Sequence, residues 1–355
     1  MPKKITVALI FGGRSAEHEV SVKSAAAVYA NLDKTRYAIV SLFIDKNGNW
    51  RRVDSPLVSA KDRRHAPDFP FLPWQMKGGS RPLRADIYFP VLHGPYGEDG
   101  TIQGLLEMAD VPFIGPGVLG SAAGMDKTVM KILFQDKGLP VAPWVVVRDF
   151  EWDDARAAIL RRLRGEFALP YFVKPANMGS SVGISKVKNH LRAAAALDLA
   201  FQYDRKILVE KGIHGREIEC SVLGNDRPEA SLPGEVMPAN EFYDYKDKYL
   251  DGKTEFGIPA ELPAAVVRTV QDRAVAAFQA CQCEGLARVD FFLEHGTSEV
   301  YVNEVNTIPG FTEISMYPKL WGVSGLPYNR LLDRMIELGF ERHRKKKRCT
   351  ASSPA

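Results

Sequence analysis

Through the first third of the chain, short apolar runs alternate with helical patterns, and this alternation constrains the fold more than any other feature. Residues 5–11, 38–44 and 87–93 are apolar runs of strand length, 17–32 and 99–109 read as helices, and 112–115 begins another short strand. Such alternation predicts a parallel α/β sheet in a nucleotide-binding-like domain. Residues 54–83 are rich in Pro, Gly and basic residues without a steady period, which predicts an excursion.

At 355 residues, 45% of them hydrophobic, the chain is long enough for two or three domains. Cys220, Cys281, Cys283 and Cys349 are too few and too oddly spaced for a disulfide framework or a zinc site. They are expected to be reduced and mostly packed, which suits a cytosolic protein. The net charge of +4 is a local effect, because six Lys or Arg crowd residues 341–355. Without that segment acids and bases balance to within one charge, so 341–355 is expected to be a solvated, disordered basic tail rather than a nucleic-acid arm. The apolar run after Lys3 and Lys4 is too short for a secretion signal, and no stretch approaches the roughly 18 apolar residues of a membrane helix.

From about residue 124 the texture changes. Helices are expected at 125–137, 153–164, 266–281 and 326–338. Strands are expected at 144–147, 171–174, 183–187, 207–210, 217–223, 235–237, 287–293 and 300–305, with a long polar loop at 239–259. Mixed α+β architecture after a parallel α/β start predicts three domains.

Several loops carry chemistry. Phe11-Gly-Gly-Arg-Ser-Ala-Glu17 ends a strand and opens a helix; such glycines can admit a ligand to backbone N–H groups, or simply make a tight turn. His93-Gly-Pro-Tyr-Gly-Glu-Asp-Gly100 follows an apolar strand, at the strand end where open α/β sheets bind ligands. Gly120-Ser-Ala-Ala-Gly-Met-Asp-Lys127 nearly spells a phosphate-binding loop but lacks the Gly–Lys adjacency, so a P-loop is not expected. Lys174, at a strand end before the turn Gly179-Ser-Ser-Val-Gly183, reads as a phosphate clamp or as an ordinary strand-end lysine in water.

The sharpest pattern is Arg288-Val-Asp290 with Glu304-Val-Asn306. Period-two alternation puts each polar pair on one strand face. If 295–299 forms the hairpin loop, Glu294 faces Val300 and Asp290 faces Glu304. Two carboxylates and an amide oxygen then converge as hard ligands that suit Mg²⁺, and facing carboxylates are unfavourable without a cation. Gly310, in the turn that follows, can offer a bare N–H to an anion.

In this order, together with Val-Glu210-Lys and Tyr245-Lys-Asp-Lys-Tyr249, the motifs resemble those of D-alanine–D-alanine ligases of the ATP-grasp superfamily, from about Ile5 to Leu338. The resemblance implies an ATP-grasp fold behind a Rossmann-like N-terminal domain. It also implies ligation of two D-alanines through a D-alanyl phosphate, for peptidoglycan precursors. Lys127 and Lys174 match the clamps on the ATP phosphates. Glu210 matches the adenine-amino ligand, the backbones of Lys211 and Ile213 border the base, and Glu217 matches the ribose ligand. Asp290, Glu304 and Asn306 match the ligands of two Mg²⁺, with Mn²⁺ able to substitute. Glu17 matches the carboxylate holding the first substrate's ammonium, with His93 nearby. Arg288 and Gly310 match the stabilisers of acyl phosphate and oxyanion. Ser180 and Tyr249, with Glu17, match the triad beside the second substrate. Ser315 matches the group meeting its carboxylate, and Lys248 the residue reaching the transferred phosphate.

The expected domains are 1–123, 124–213 and 214–340, followed by the tail. The family further suggests a cytoplasmic homodimer without nucleic-acid or membrane partners. The alternatives are a D-alanine–D-lactate or another ATP-grasp ligase, a nicotinamide-dependent oxidoreductase, and a non-catalytic nucleotide-binding module.

Overall fold

The computed structural model describes residues 3–66, 85–237 and 254–350, with Cys349 and Thr350 described by their backbone alone. Four strands, Ile5–Gly12 (β1), Tyr37–Ile44 (β2), Trp50–Val53 (β3) and Ile87–Val91 (β4), form the first sheet in the order β3-β2-β1-β4. β1 pairs in parallel with both β2 and β4, while β3 adds an antiparallel edge that the sequence reading did not foresee. The helices of this region are His18–Asn31 (α1), Ala60–His65 (α2) and Thr101–Met108 (α3). α2 falls in the expected excursion and is capped by Ser59, whose Oγ accepts the Asp62 N–H at 3.1 Å. The expected strand at 112–115 reduces to a single bridge between Phe113 and Tyr88.

Residues 125–137, expected to be one helix, are parts of two: Val118–Met125 (α4) and Lys127–Asp136 (α5). Asp126 divides them. Its carboxylate accepts the N–H groups of Thr128 and Val129 and pairs with Lys206, so it ends one helix by capping the next. The near-P-loop is therefore the body of α4, and its glycines serve packing. A Cβ on Gly124 would lie 2.5 Å from Thr307 Cγ2.

A second sheet, antiparallel throughout, contains Trp144–Arg148 (β5), Tyr171–Pro175 (β6), Ser185–Val187 (β7) and Lys206–Lys211 (β8) in the order β5-β8-β6-β7. Helices Asp149–Glu166 (α6) and Ala193–Ala200 (α7) supply its core with Trp152, Leu163 and Leu197, against Tyr171, Val173 and Val209.

The third sheet is built from Gly215–Gly224 (β9), Glu229–Ala230 (β10), Gly234–Met237 (β11), Glu255–Gly257 (β12), Gly285–Glu294 (β13) and Val300–Asn306 (β14). Its order is β12-β11-β9-β13-β14, with β10 on β9. Ala264–Ala280 (α8) buries Val270, Ala274, Ala277 and Phe278, one stripe at helical spacing, against this sheet. Cys220, Cys281 and Cys283 are free and buried, as expected of packed thiols.

Two helices close the fold, Met316–Val323 (α9) and Tyr328–Thr350 (α10). The expectation of a disordered tail from 341 is overturned as far as Thr350, where α10 ends; residues 351–355 lie outside the described residues. Leu331, Leu332, Met335 and Ile336 of α10 join the core of the first sheet with Val7, Leu9 and Phe11. The basic run continues the same helix onto acidic residues of other segments. Arg342 is buried and donates to the carbonyls of Gly115 at 2.9 Å and Phe113 at 3.2 Å, with its guanidinium 3.8 Å from the centre of the Phe113 ring. Lys346 pairs with Glu107, Lys347 with Asp110, and Lys345 with Asp226 and Glu341. Composition registers such a charge run but not the acids that tertiary folding sets opposite it.

Candidate active site

The β13–β14 hairpin builds one wall of a cleft of about 1610 Å³, counted out to open solvent. Asp290 stands opposite Glu304, and Arg288 opposite Asn306. The expected register fails nearer the loop, where Leu293, not Glu294, faces Val300. A bulge after Asp290 places the unpaired Asn303 on β14 and restores the Asp290–Glu304 match. Asp290 accepts from Arg288 Nε at 2.6 Å and Nη2 at 2.7 Å, and from the Asn306 amide at 2.9 Å. On the neighbouring strand Glu219 faces Asp290 and reaches Arg288 Nε at 3.0 Å. Arg288 is thereby gripped from two strands.

Loops at the ends of β1 and β4 form the facing wall. Gly12 and Gly13 have φ of 93° and 94°, and the Gly12 N–H is taken by Ser21 Oγ, the Gly13 N–H by the Ile44 carbonyl. These glycines make the turn; from this motif, Glu17 enters the cleft wall. Ser180, from the turn after β6, donates its hydroxyl to Glu17 Oε1. A Cβ on Gly179 would lie 2.8 Å from Glu17 Oε2, so the glycine of this turn is a matter of room.

His93 also borders the cleft, but the protein uses both its ring nitrogens. A carbonyl can only accept, so Nδ1–H donates to Ile308 O at 3.0 Å. Burial holds His93 below the usual imidazole range, and the neutral ring accepts at Nε2 from Ser24 Oγ at 3.0 Å. Ser24 Oγ in turn accepts the Phe311 N–H at 3.2 Å. His93 thus fixes both flanks of Gly310. A Cβ on Gly310 would lie 2.7 Å from Ser315 Oγ, which hydrogen-bonds Thr312 at the start of α9.

On the remaining wall, Lys127 reaches across from α5. Its Nζ donates to Met178 O at 2.7 Å and stands 3.8 Å from Glu304, so it links the Gly-Ser turn to the hairpin. Lys174 borders the cleft and pairs with Glu210 beneath it. Glu210 is buried, with Lys131 at 2.7 Å on its other oxygen. Burial raises its pKa, but the two lysines more than reverse that and hold the carboxyl at about 2.

The structure therefore gathers Glu17, His93, Lys127, Lys174, Ser180, Glu217, Arg288, Asp290, Glu304, Asn306, Gly310 and Ser315 around one cleft. Glu210 is not among its lining residues, nor are Lys211 and Ile213. The Lys211 N–H is bound by Pro143 O. Lys248 and Tyr249 lie outside the described residues. Three further groups escaped the sequence reading as functional residues. Glu98 lies within the His93–Gly100 motif, Glu219 follows Glu217 at strand period two, and Lys131 follows Lys127 by one helical turn. Those spacings were the available signals.

Among the described residues no group of three or more His, Cys, Asp or Glu is arranged as metal ligands. The hard donors on the hairpin are two carboxylates and one amide oxygen. That set fits Mg²⁺ only as an ion sharing its shell with substrate oxygens, which is how Mg²⁺ commonly binds. Among the described residues no helix is long and apolar enough to cross a membrane.

Residues 6–116 match the family model "D-ala D-ala ligase N-terminus", and 133–337 match "D-ala D-ala ligase C-terminus". The D-alanine–D-alanine ligase of Heliobacterium modesticaldum is 49% identical over 97% of both chains. The solved D-alanine–D-alanine ligase of Coxiella burnetii superposes with a TM-score of 0.87 at 37% identity, covering 98% of this chain and 97% of its own. The VanG D-Ala:D-Ser ligase of Enterococcus faecalis gives 0.83 at 34% identity, covering 95% of this chain and all of its own. With both family models in chain order and near-complete coverage by these relatives, the chain belongs to the D-alanine–D-alanine ligase family, enzymes of the ATP-grasp fold.

Proposed function

We propose that the protein joins two D-alanine molecules into D-alanyl-D-alanine, using ATP to form a D-alanyl phosphate on the way to peptidoglycan precursors. The observation that carries this reading is the single cleft uniting the Arg288, Asp290, Glu304 and Asn306 hairpin with Glu17 and Ser180 and with Lys127 and Lys174.

A carboxylate resists attack by an amine because its charge is delocalised, so one of its oxygens must first take the γ-phosphoryl group of ATP, with ADP leaving, and become a better leaving group. Phosphoryl transfer needs positioning and charge neutralisation, which Lys127 and Lys174 provide for the ATP phosphates. When bound, Mg²⁺ (or Mn²⁺) held by Asp290, Glu304 and Asn306 neutralises further phosphate charge. Glu17 holds the first substrate's ammonium. Arg288 and the Gly310 N–H stabilise charge on the reacting carboxyl carbon's oxygens as the second amine attacks and phosphate leaves. Glu217 takes the ribose, and the backbones of Lys211 and Ile213 border the adenine. Glu210, tied to Lys174, shapes the base site from beneath. Ser180 with Glu17 and Tyr249, and Ser315, hold the second substrate, while Lys248 meets the transferred phosphate. We read residues 1–123, 124–213 and 214–340 as three domains and the working form as a cytoplasmic homodimer.

The test is ADP release with ATP, Mg²⁺ and either D-alanine alone or D-alanine with D-lactate or D-serine. D-Alanine alone should support the dominant rate; a dominant D-lactate or D-serine rate overturns the choice of second substrate. Unchanged turnover by Asp290→Ala overturns the metal assignment.

A further inference from the structure

Gly94 stands between two carboxyl groups. Its N–H donates to Glu98 Oε2 at 2.8 Å, and a Cβ placed on it would lie 2.6 Å from Glu17 Oε2. Both acids therefore lie against the same residue, on the cleft wall that also carries His93, across from Arg288 on the hairpin. The cations of the cleft have other acids as partners: Arg288 has Asp290 and Glu219, Lys174 has Glu210, and Lys127 has Glu304. Arg288 and the N–H groups of Gly94 and Ile308 do favour the Glu98 carboxylate, but burial and the charge of Glu17 outweigh them. His93 is neutral, with both ring nitrogens in use. On Glu98's own loop, Asp99 accepts the N–H groups of Tyr96 and Thr101. Two neighbouring acids in a partly enclosed cleft cannot both ionise cheaply without a cation between them.

We propose that Glu98 is a second carboxyl group of the first substrate's ammonium site, which holds a proton in the free enzyme and releases it when the ammonium settles between Glu98 and Glu17. The balance is simple. The Glu98 carboxylic acid and the substrate ammonium become a carboxylate–ammonium pair, and one proton passes to solvent. In keeping with this, enclosure in the cleft wall, and then the charge of Glu17, push the Glu98 carboxyl up to about 8. Glu98 acts here as a substrate-binding residue: it matches the site's charge to a cationic amine. The inference rests on the ligase reading and on Glu17's place in it.

Calorimetry on the full chain tests it. D-Alanine is titrated into enzyme preloaded with Mg²⁺ and a non-hydrolysable ATP analogue, near pH 7.5, in buffers of differing ionisation enthalpy. The wild-type protein should release most of one proton per D-alanine bound, and the release should fade toward zero near pH 9, where Glu98 is already ionised. Glu98→Gln should bind D-alanine about tenfold more weakly and release no proton. Heat independent of buffer in the wild type, a count unchanged between pH 7.5 and 9, or undiminished release from Glu98→Gln would each overturn the proposal. The wild-type measurements decide the matter even if the variant does not fold. Failure of the wild type to form ADP from D-alanine and ATP would instead remove the ligase reading itself.

Discussion

Asp290 and Glu304 face each other across β13 and β14 because the bulge at Asn303 compensates for a hairpin loop one residue longer than the alternating pattern implies. Period two continued from the loop would misplace one strand by a residue and turn its polar face inward. The bulge resets the face at the position where two carboxylates have to meet.

Removing either charge should therefore silence the chemistry without unfolding the protein. We expect Glu304→Gln to lower the rate of ADP release by roughly 10²–10³, the usual loss when one group stabilising a transition state is removed. Its thermal midpoint should stay within a few degrees of wild type. Asp290→Asn should be at least as severe, because Asp290 also orients Arg288 through two hydrogen bonds.

Lys131 should prove indispensable to stability. Lys131→Met leaves Glu210 buried with Lys174 as its remaining cation, and breaking a buried ion pair on one side costs about 3–5 kcal/mol. The double variant Lys131→Met with Glu210→Gln should recover part of that loss in urea unfolding. The sign with pH follows from the depressed carboxyl. Its contribution is complete above the unfolded value near 4.5 and is lost as pH falls toward about 2, so Glu210→Gln should flatten acid unfolding in that window.

Glu98 carries the opposite sign. Its pKa is raised from 4.5 to about 8, so the folded state keeps a proton that the unfolded chain has lost, and stability declines as pH climbs through that interval. Glu98→Gln should lose this slope. The variant's melting temperature should gain on wild type between pH 5 and pH 9, which thermal scans at several pH values would read. Parallel curves would contradict it.

Arg342 should matter far more than the lysines around it. Arg342→Ala leaves two buried carbonyls unpaired and strips a guanidinium from the Phe113 face, a loss of about 2–4 kcal/mol by chemical denaturation. Lys346→Ala and Lys347→Ala break pairs with more exposed partners and should each cost under about 1 kcal/mol, less in high salt.

Local pattern was enough for most elements. β1, β2, β4 and α1 follow from apolar run length and helical period, and α8 from its stripe at three to four residues. Most residues that line the cleft were legible because polar types recur at fixed strand spacing, as in Arg288-Val-Asp290. The division at Asp126 was harder to read. A capping carboxylate inside an apolar stretch leaves the helical period on either side almost intact.

By itself, the sequence determined the family, the order of the loops that border the cleft and the polar faces of the hairpin, since these depend on residues close together in the chain. Tertiary structure alone decided which charges meet. Lys131 with Glu210, Glu98 beside Glu17, and Arg342 beneath the Gly115 and Phe113 carbonyls join segments far apart in the chain. The physical reason is that an ionisable group's state depends on burial and on neighbours within a few ångströms, and only the folded backbone selects those neighbours.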